Sequence, residues 1–137
     1  FPHLAKWTQQ RRDNAARYAE LFSQHAVSDA ITLPAEQPSC HHVWNQYAIR
    51  VSGGRRDGLR KHLQASGVGS EIYYPVPAHG QKCFANLAYG PGSLPHTERA
   101  ATEVLSLPVF PQLTAAEQQR GVEAVAAYFS GREKNAA

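Results

Sequence analysis

The sequence predicts an α+β domain, a small antiparallel sheet covered by helices on one face. Two observations carry that expectation. Helix-period and strand-period stretches follow one another in the order helix, strand, helix, strand, helices, with no internal repeat or low-complexity block. At 137 residues the chain is long enough to bury one core and ordinary for a single domain. The domain is assigned to residues 1–130, with residues 131–137 as a frayed tail.

Each element has its own signal. Between residues 4 and 23, Trp7, Arg11, Ala15, Tyr18 and Phe22 recur at helical spacing, and Leu21 widens that stripe. Residues 28–39 are polar and marked by proline, a loop with a short extended piece at 31–33. The run HHVWNQYAIRV reads as a strand closed by SGG, with Val43, Asn45, Tyr47, Ile49 and Val51 on one side of the pleat. That side is apolar except at Asn45, so an amide stands at one end of a buried stripe. Trp44 and Gln46 point the other way, toward the surface or an interface, and Tyr47 reads as core. In RRDGLRKHLQASGV, Asp57 is the expected N-cap, Leu59 and Leu63 face inward, and Gly67 supplies a left-handed stop. SEIYYPVP is a second strand that Pro75 and Pro77 bring to an end. A short helical turn and a glycine–proline loop follow, and Pro95 opens a helix over residues 96–105. LSLPVF is extended, TAAEQ is a capping box between Thr114 and Glu117, and Gln118, Val122, Val125 and Phe129 share one face of the last helix.

Composition narrows the class. With 42% hydrophobic and 18% charged residues, the chain is neither disordered nor membrane-like, and no apolar run nears the length of a spanning helix. The net charge of +3 is mildly basic. Arg11, Arg12 and Arg17, and then Arg55, Arg56, Arg60 and Lys61, read as solvated faces, and no nucleic-acid or membrane partner is expected. FPHLAKWTQQ lacks the layout of a signal peptide, and the chain holds no methionine, as expected of a trimmed start or a piece of something longer. Cys40 and Cys83 match no zinc spacing, so a cytoplasmic protein with reduced thiols is expected. His41 and His42 would point to opposite faces of a strand, and no metal site is expected at Cys40, His41 and His42.

The run EIYYPVPAHGQKCF concentrates the candidate chemistry. His79 follows a rigid Pro-x-Pro corner that can present its imidazole at a fixed place, or it can simply bond its own loop. Asn45 needs partners on its apolar face, from a ligand, a subunit boundary or a neighbouring loop. Tyr73 and Tyr74 occupy opposite faces of their strand, so one should pack inward while the other offers a hydroxyl. Gln81 is close enough to His79 to share its site.

Four runs in order, RRDNAARYAELF, HHVWNQYAIRV, RRDGLRKHLQASGVGSEIYYPVPAHGQKCF and LPHTERAATEVLSLPVFPQLT, resemble the C-terminal part of the DegT/StrS-type sugar aminotransferases, which are fold-type-I pyridoxal-phosphate enzymes. The likeness runs from Trp7 to Phe129, with mild departures at Ala78, Ala88 and Gln112, where the family often has leucine, glycine and glutamate. It implies a small domain that closes over an active site held by a larger one, in a homodimer. The enzyme it implies moves an amino group, typically from glutamate, onto a keto-sugar nucleotide. It places His79 at the mouth of that site, with Asn45, Tyr73, Tyr74 and Gln81 as further substrate-side candidates. Lys6, Lys61, Lys82 and Lys134 do not match the family's cofactor lysine, so no cofactor and no catalytic residue is expected in this chain alone. The alternative is a non-catalytic binding or dimerising module derived from that domain. Trp7, Tyr18 and the YYPVP run are expected to expose apolar surface and drive self-association.

Overall fold

A computed structural model describes residues 2–133; Lys134 and the rest of the expected tail lie outside them. The elements are α1 (Leu4–Ser23), β1 (Ile31–Thr32), β2 (Tyr47–Val51), α2 (Arg56–Ala65), two 3₁₀ turns (Ala78–Gly80 and Lys82–Leu87), α3 (Pro95–Glu103), β3 (Val104–Leu107) and α4 (Ala115–Glu133). The α+β class with a small antiparallel sheet is as the sequence predicts. Helix α4 runs on through Gly131 to Glu133, into the stretch read as tail.

The sheet has the order β1-β2-β3, antiparallel throughout. Tyr47 pairs with Leu107 and Ile49 with Leu105, so the same face of both strands carries the apolar residues. Tyr47, Ile49, Val51, Leu105 and Leu107 are buried there against Tyr18, Phe22, Leu59, Leu63, Val122, Val125 and Phe129 of the three helices α1, α2 and α4. Helix α2 ends as its glycine predicts. Gly67 takes φ +72°, and the Val68 N–H then reaches back to the Leu63 carbonyl at 2.9 Å. The capping box of α4 forms reciprocally: the Thr114 N–H donates to Glu117 at 2.8 Å and the Glu117 N–H to Thr114 Oγ1 at 3.2 Å.

Four expectations change. Asp57 is not an N-cap, because α2 begins at Arg56 and Asp57 lies in its first turn, paired with Arg56 at 2.9 Å. The strand at 41–51 is only its second half: Trp44 takes φ +48°, which breaks the pleat, leaving Val43 and Asn45 exposed and turning the Trp44 ring into the core. The second strand shrinks to one bridge, Glu71 with Ser106, since Pro75 and Pro77 have no N–H to extend it. Tyr18 is core rather than surface, and its hydroxyl donates to the Pro108 carbonyl at 2.9 Å.

The arginines are also less solvated than expected. Arg55 lies 5.0 Å over the Phe129 ring, and Arg56 donates to the Ala101 carbonyl. Arg17 joins a buried polar knot between α1 and α4. Its guanidinium donates to Gln118 at 2.7 Å and to Asn14 at 3.2 Å, while Gln118 donates to the Asn14 carbonyl at 2.8 Å. Gln118 is wholly buried, so its loss leaves both a void and unpaired polar groups. Gln118→Ala is expected to lower the unfolding free energy by about 2–4 kcal/mol in urea titrations. An unchanged midpoint would show that the knot contributes nothing.

Candidate functional site

Helix α1 places one row of donors along two irregular segments. Arg11 Nε donates to the Val43 carbonyl at 2.9 Å, and Arg12 Nη1 to the His42 carbonyl at 2.7 Å. One turn further on, Asn14 Nδ2 donates to the Phe110 carbonyl at 2.9 Å. Together with the Tyr18 hydroxyl on Pro108, these bonds pin the approach to β2 and the exit from β3. Burial pushes the Tyr18 phenol well above its ordinary range, so it stays a donor at neutral pH.

Between the two pinned segments lies a cleft of about 350 Å³, lined by Arg11, Asn45, Gln46, Tyr73, Pro108 and Phe110, among others. It offers two amides, a guanidinium, a phenol and an exposed phenyl ring. Such a set can bond hydroxyl and phosphate oxygens and cover a flat ring. A second groove of about 470 Å³ adjoins it, lined by Tyr73, Tyr74, Val76, Gln81 and Lys82. Tyr73 belongs to both walls.

Four of the five candidates from the sequence therefore stand on two neighbouring hollows. Neither tyrosine packs inward: Tyr73 is 54% and Tyr74 70% exposed, because the strand that would have buried one of them ends at Glu71. His79 stands apart from both hollows. Its side chain is only 9% exposed, and its Nε2 lies 3.1 Å from Glu98. Its ring meets Tyr89 edge-on, and its buried Nδ1 has no hydrogen-bond partner among the described residues. Its partner Glu98 belongs to α3, so the imidazole ties the Ala78–Gly80 turn to the start of that helix.

Arg11, Phe110 and Glu98 escape the sequence reading. Arg11 looked like one of a row of surface charges. Glu98 carried a signal, an acid in the first turn of a proline-led helix. Its carboxylate accepts from the Gly92 N–H at 2.8 Å and the Leu94 N–H at 3.2 Å as well as facing His79. These bonds, led by the Gly92 N–H, hold its carboxyl below the usual range. Ala88 has φ +55°, a backbone state that suits the glycine common at this position in the family it resembles.

Among the described residues no lysine stands where pyridoxal phosphate would fit. Lys6, Lys61 and Lys82 are exposed, and Lys82 reaches the edge of the second groove. No glycine-rich turn precedes Lys82 to cradle a phosphate. Among the described residues no three His, Cys, Asp or Glu side chains gather as metal ligands, and no helix is long and apolar enough to cross a membrane.

The fold is one found in the aminotransferase class. The chain belongs to the DegT/DnrJ/EryC1/StrS aminotransferase family, whose profile matches residues 1–126. It is 45% identical over 129 residues to a pleiotropic regulatory protein of Geobacillus stearothermophilus, covering 94% of this chain and 34% of that protein. It is 42% identical to the UDP-N-acetyl-3-dehydro-alpha-D-glucosamine 3-aminotransferase of Acidithiobacillus ferrooxidans, covering 82% of this chain and 28% of that enzyme. The crystal structure of Streptomyces venezuelae DesV, in complex with a ketimine intermediate, matches with a TM-score of 0.84 and 36% identity, over 93% of this chain and 33% of that one. The chain thus spans about a third of the length of these relatives. A solved structure of NtdA from Bacillus subtilis, 29% identical with a TM-score of 0.78 over 90% of this chain and 28% of that one, holds the cofactor PMP, and the Acidithiobacillus relative is named for a UDP-sugar substrate.

A depressed carboxyl stabilises what it binds above its ordinary pKa, and that support is lost as pH falls through the folded value. Amide exchange at Gly92 and Leu94 is therefore expected to be slow near neutrality and to accelerate, beyond its intrinsic pH trend, in acid below the usual glutamate range. Glu98→Gln should accelerate it at neutral pH; protection equal to wild type in that variant would rule out the carboxylate as the anchor.

Proposed function

We propose that the chain is the C-terminal domain of a pyridoxal-phosphate-dependent nucleotide-sugar aminotransferase and supplies one wall of the substrate site. In the whole enzyme, glutamate donates the amino group and a keto-sugar nucleotide receives it. The observation that carries the reading is the face around the cleft. No residue from Tyr73 to Leu94 is fully buried, yet this stretch holds Tyr73, Tyr74, Val76, Phe84, Leu87 and Tyr89, all exposed. A stretch with this many exposed large apolar side chains is suited to being covered. A preceding domain that holds the cofactor lysine is the cover in this reading.

Within that arrangement, Asn45, Gln46 and Arg11 bond the polar part of the sugar nucleotide, and Tyr73 and Phe110 flank it. Tyr74 and Gln81 extend the wall along the second groove. His79 serves the site indirectly, by holding the loop next to Gln81. No proton transfer or covalent step is assigned to a residue of this chain, which makes it inactive alone. The whole protein works in the cytoplasm as a homo-oligomer, consistent with two exposed free thiols and a large apolar face.

Two measurements test the reading. In ¹H–¹⁵N spectra, UDP-N-acetylglucosamine or dTDP-glucose is expected to shift the signals of Asn45, Gln46 and Tyr73, and Asn45→Ala to weaken that response by about tenfold. Shifts confined to other faces would overturn the assignment of the cleft. In sedimentation, the chain is expected to run as a dimer or larger, and Tyr74→Ser with Leu87→Ser to restore the monomer. A monomer at every concentration would remove the self-association part of the proposal.

A further inference from the structure

Trp44 is the one large aromatic residue among those described whose backbone lies in the left-handed region, with φ +48°. For a bulky side chain such a state is strained and persists only when its surroundings impose it. Here the imposing groups can be named. Arg12 donates to Glu36 through two nitrogens, at 2.7 and 3.2 Å, and to the His42 carbonyl at 2.7 Å. Glu36 in turn accepts from the His42 N–H at 2.7 Å, so residue 42 is gripped at both its amide and its carbonyl. Arg11 holds the next carbonyl, that of Val43. The Trp44 N–H donates to His42 Nδ1 at 2.9 Å, and the indole lies tilted against the His42 ring at 4.1 Å and meets Tyr47 at 5.6 Å.

We infer that Arg12 and Glu36 are positioning residues for the cleft. They hold the chain before Trp44 so that its strained backbone delivers Asn45 to the ligand side. The inference rests on the reading of the cleft as a sugar-nucleotide wall. Arg12 does not line the cleft, whereas Arg11, Asn45 and Gln46 do. Without the Arg12–Glu36 grip, residue 42 is released, and the Arg11 bond to the Val43 carbonyl and the contacts of Trp44 itself are left to oppose its relaxation to an extended backbone. That relaxation returns Asn45 to the buried face of the pleat, the side on which simple alternation from Tyr47 would put it. Lysine cannot replace Arg12, because one ammonium has no planar fork to span a carboxylate while also reaching a carbonyl.

The test uses the full 137-residue chain with Trp7→Phe, which leaves Trp44 as the sole indole. Arg12→Gln, and the gentler Glu36→Gln, are expected to shift the Trp44 emission to the red and to move the amide signals of residues 43–46, while those of α4 stay. With UDP-N-acetylglucosamine and dTDP-glucose as probes, Arg12→Gln should weaken binding by about tenfold, a coupling typical of residues that act through one another. Arg12→Gln added to Asn45→Ala should weaken it no further, and Arg12→Lys should rescue little. The inference is overturned if both glutamine variants keep the wild-type Trp44 emission and amide positions, or if the losses from Arg12→Gln and Asn45→Ala add in full. A wild-type chain that binds neither probe defeats the ligand reading alone. The emission and amide signals then decide whether Arg12 and Glu36 hold the Trp44 backbone.

Discussion

Four backbone carbonyls, those of His42, Val43, Pro108 and Phe110, are taken up by the side chains of a single helix, and the cleft exists because of it. All four lie outside the strands, between one and five residues from the nearest strand end, where the ladder no longer supplies donors. An irregular segment there must find partners or stay solvated and mobile. Arg11, Arg12, Asn14 and Tyr18 lie within about two turns of α1 and answer that need on both sides of one opening. Each bond contributes about 1 kcal/mol net, more where a guanidinium donates, but the larger effect is geometric. Two loops that could move independently become edges of one rigid body, because the helix holding them is itself locked to α4 through Gln118 and Arg17.

This explains which parts of the molecule were legible in the sequence. Elements decided by apolar periodicity were readable: the stripe of α1 at Ala15, Tyr18 and Phe22, the inward pair Leu59 and Leu63, and the face of α4 at Val122, Val125 and Phe129. Local backbone rules were readable too, as at Gly67 and in the Thr114–Glu117 box. The failures share another cause. Where long-range side-chain donors or a missing N–H compete with the ladder, alternation no longer predicts the face. At Trp44 the competitors are Arg11 and Arg12, far away in sequence, and the pleat breaks. After Glu71 it is proline that ends pairing, and both tyrosines come out to solvent. Asn45 was singled out for a face it does not occupy, and its polar company of Arg11 and Gln46 could not be seen from strand periodicity.

The placement of His79 has a consequence for the division of labour. An imidazole that is closed in by Tyr89 and bonded to Glu98 keeps the loop from Gly90 to Leu94 close to the Pro75–Gly80 corner. It thereby shapes the second groove without entering it. With Lys6, Lys61 and Lys82 exposed and no acid–base pair among the residues lining the cleft, the side chains here can bind, orient and exclude water. Those are the tasks that the proposed role as one wall of the site asks for, and they need shape and hydrogen-bonding capacity rather than a shifted amine.

The two best-placed candidates, Asn45 and Tyr73, show how a sheet this small can support a site at all. Asn45 stands two residues before Tyr47, whose partner is Leu107, and Tyr73 stands two residues after Glu71, whose partner is Ser106. Both are thus anchored by adjacent rungs on the same strand, β3. Two residues are short enough for the rungs to fix where the backbone goes, and long enough to free both side chains from the ladder's alternation. A site built further out would be at the mercy of loop motion, and one built on the rungs would be buried in the core or covered by neighbours. The frayed edges of β2 and of the Glu71 bridge are where rigidity and access coincide, provided that α1 holds the frayed chain in place.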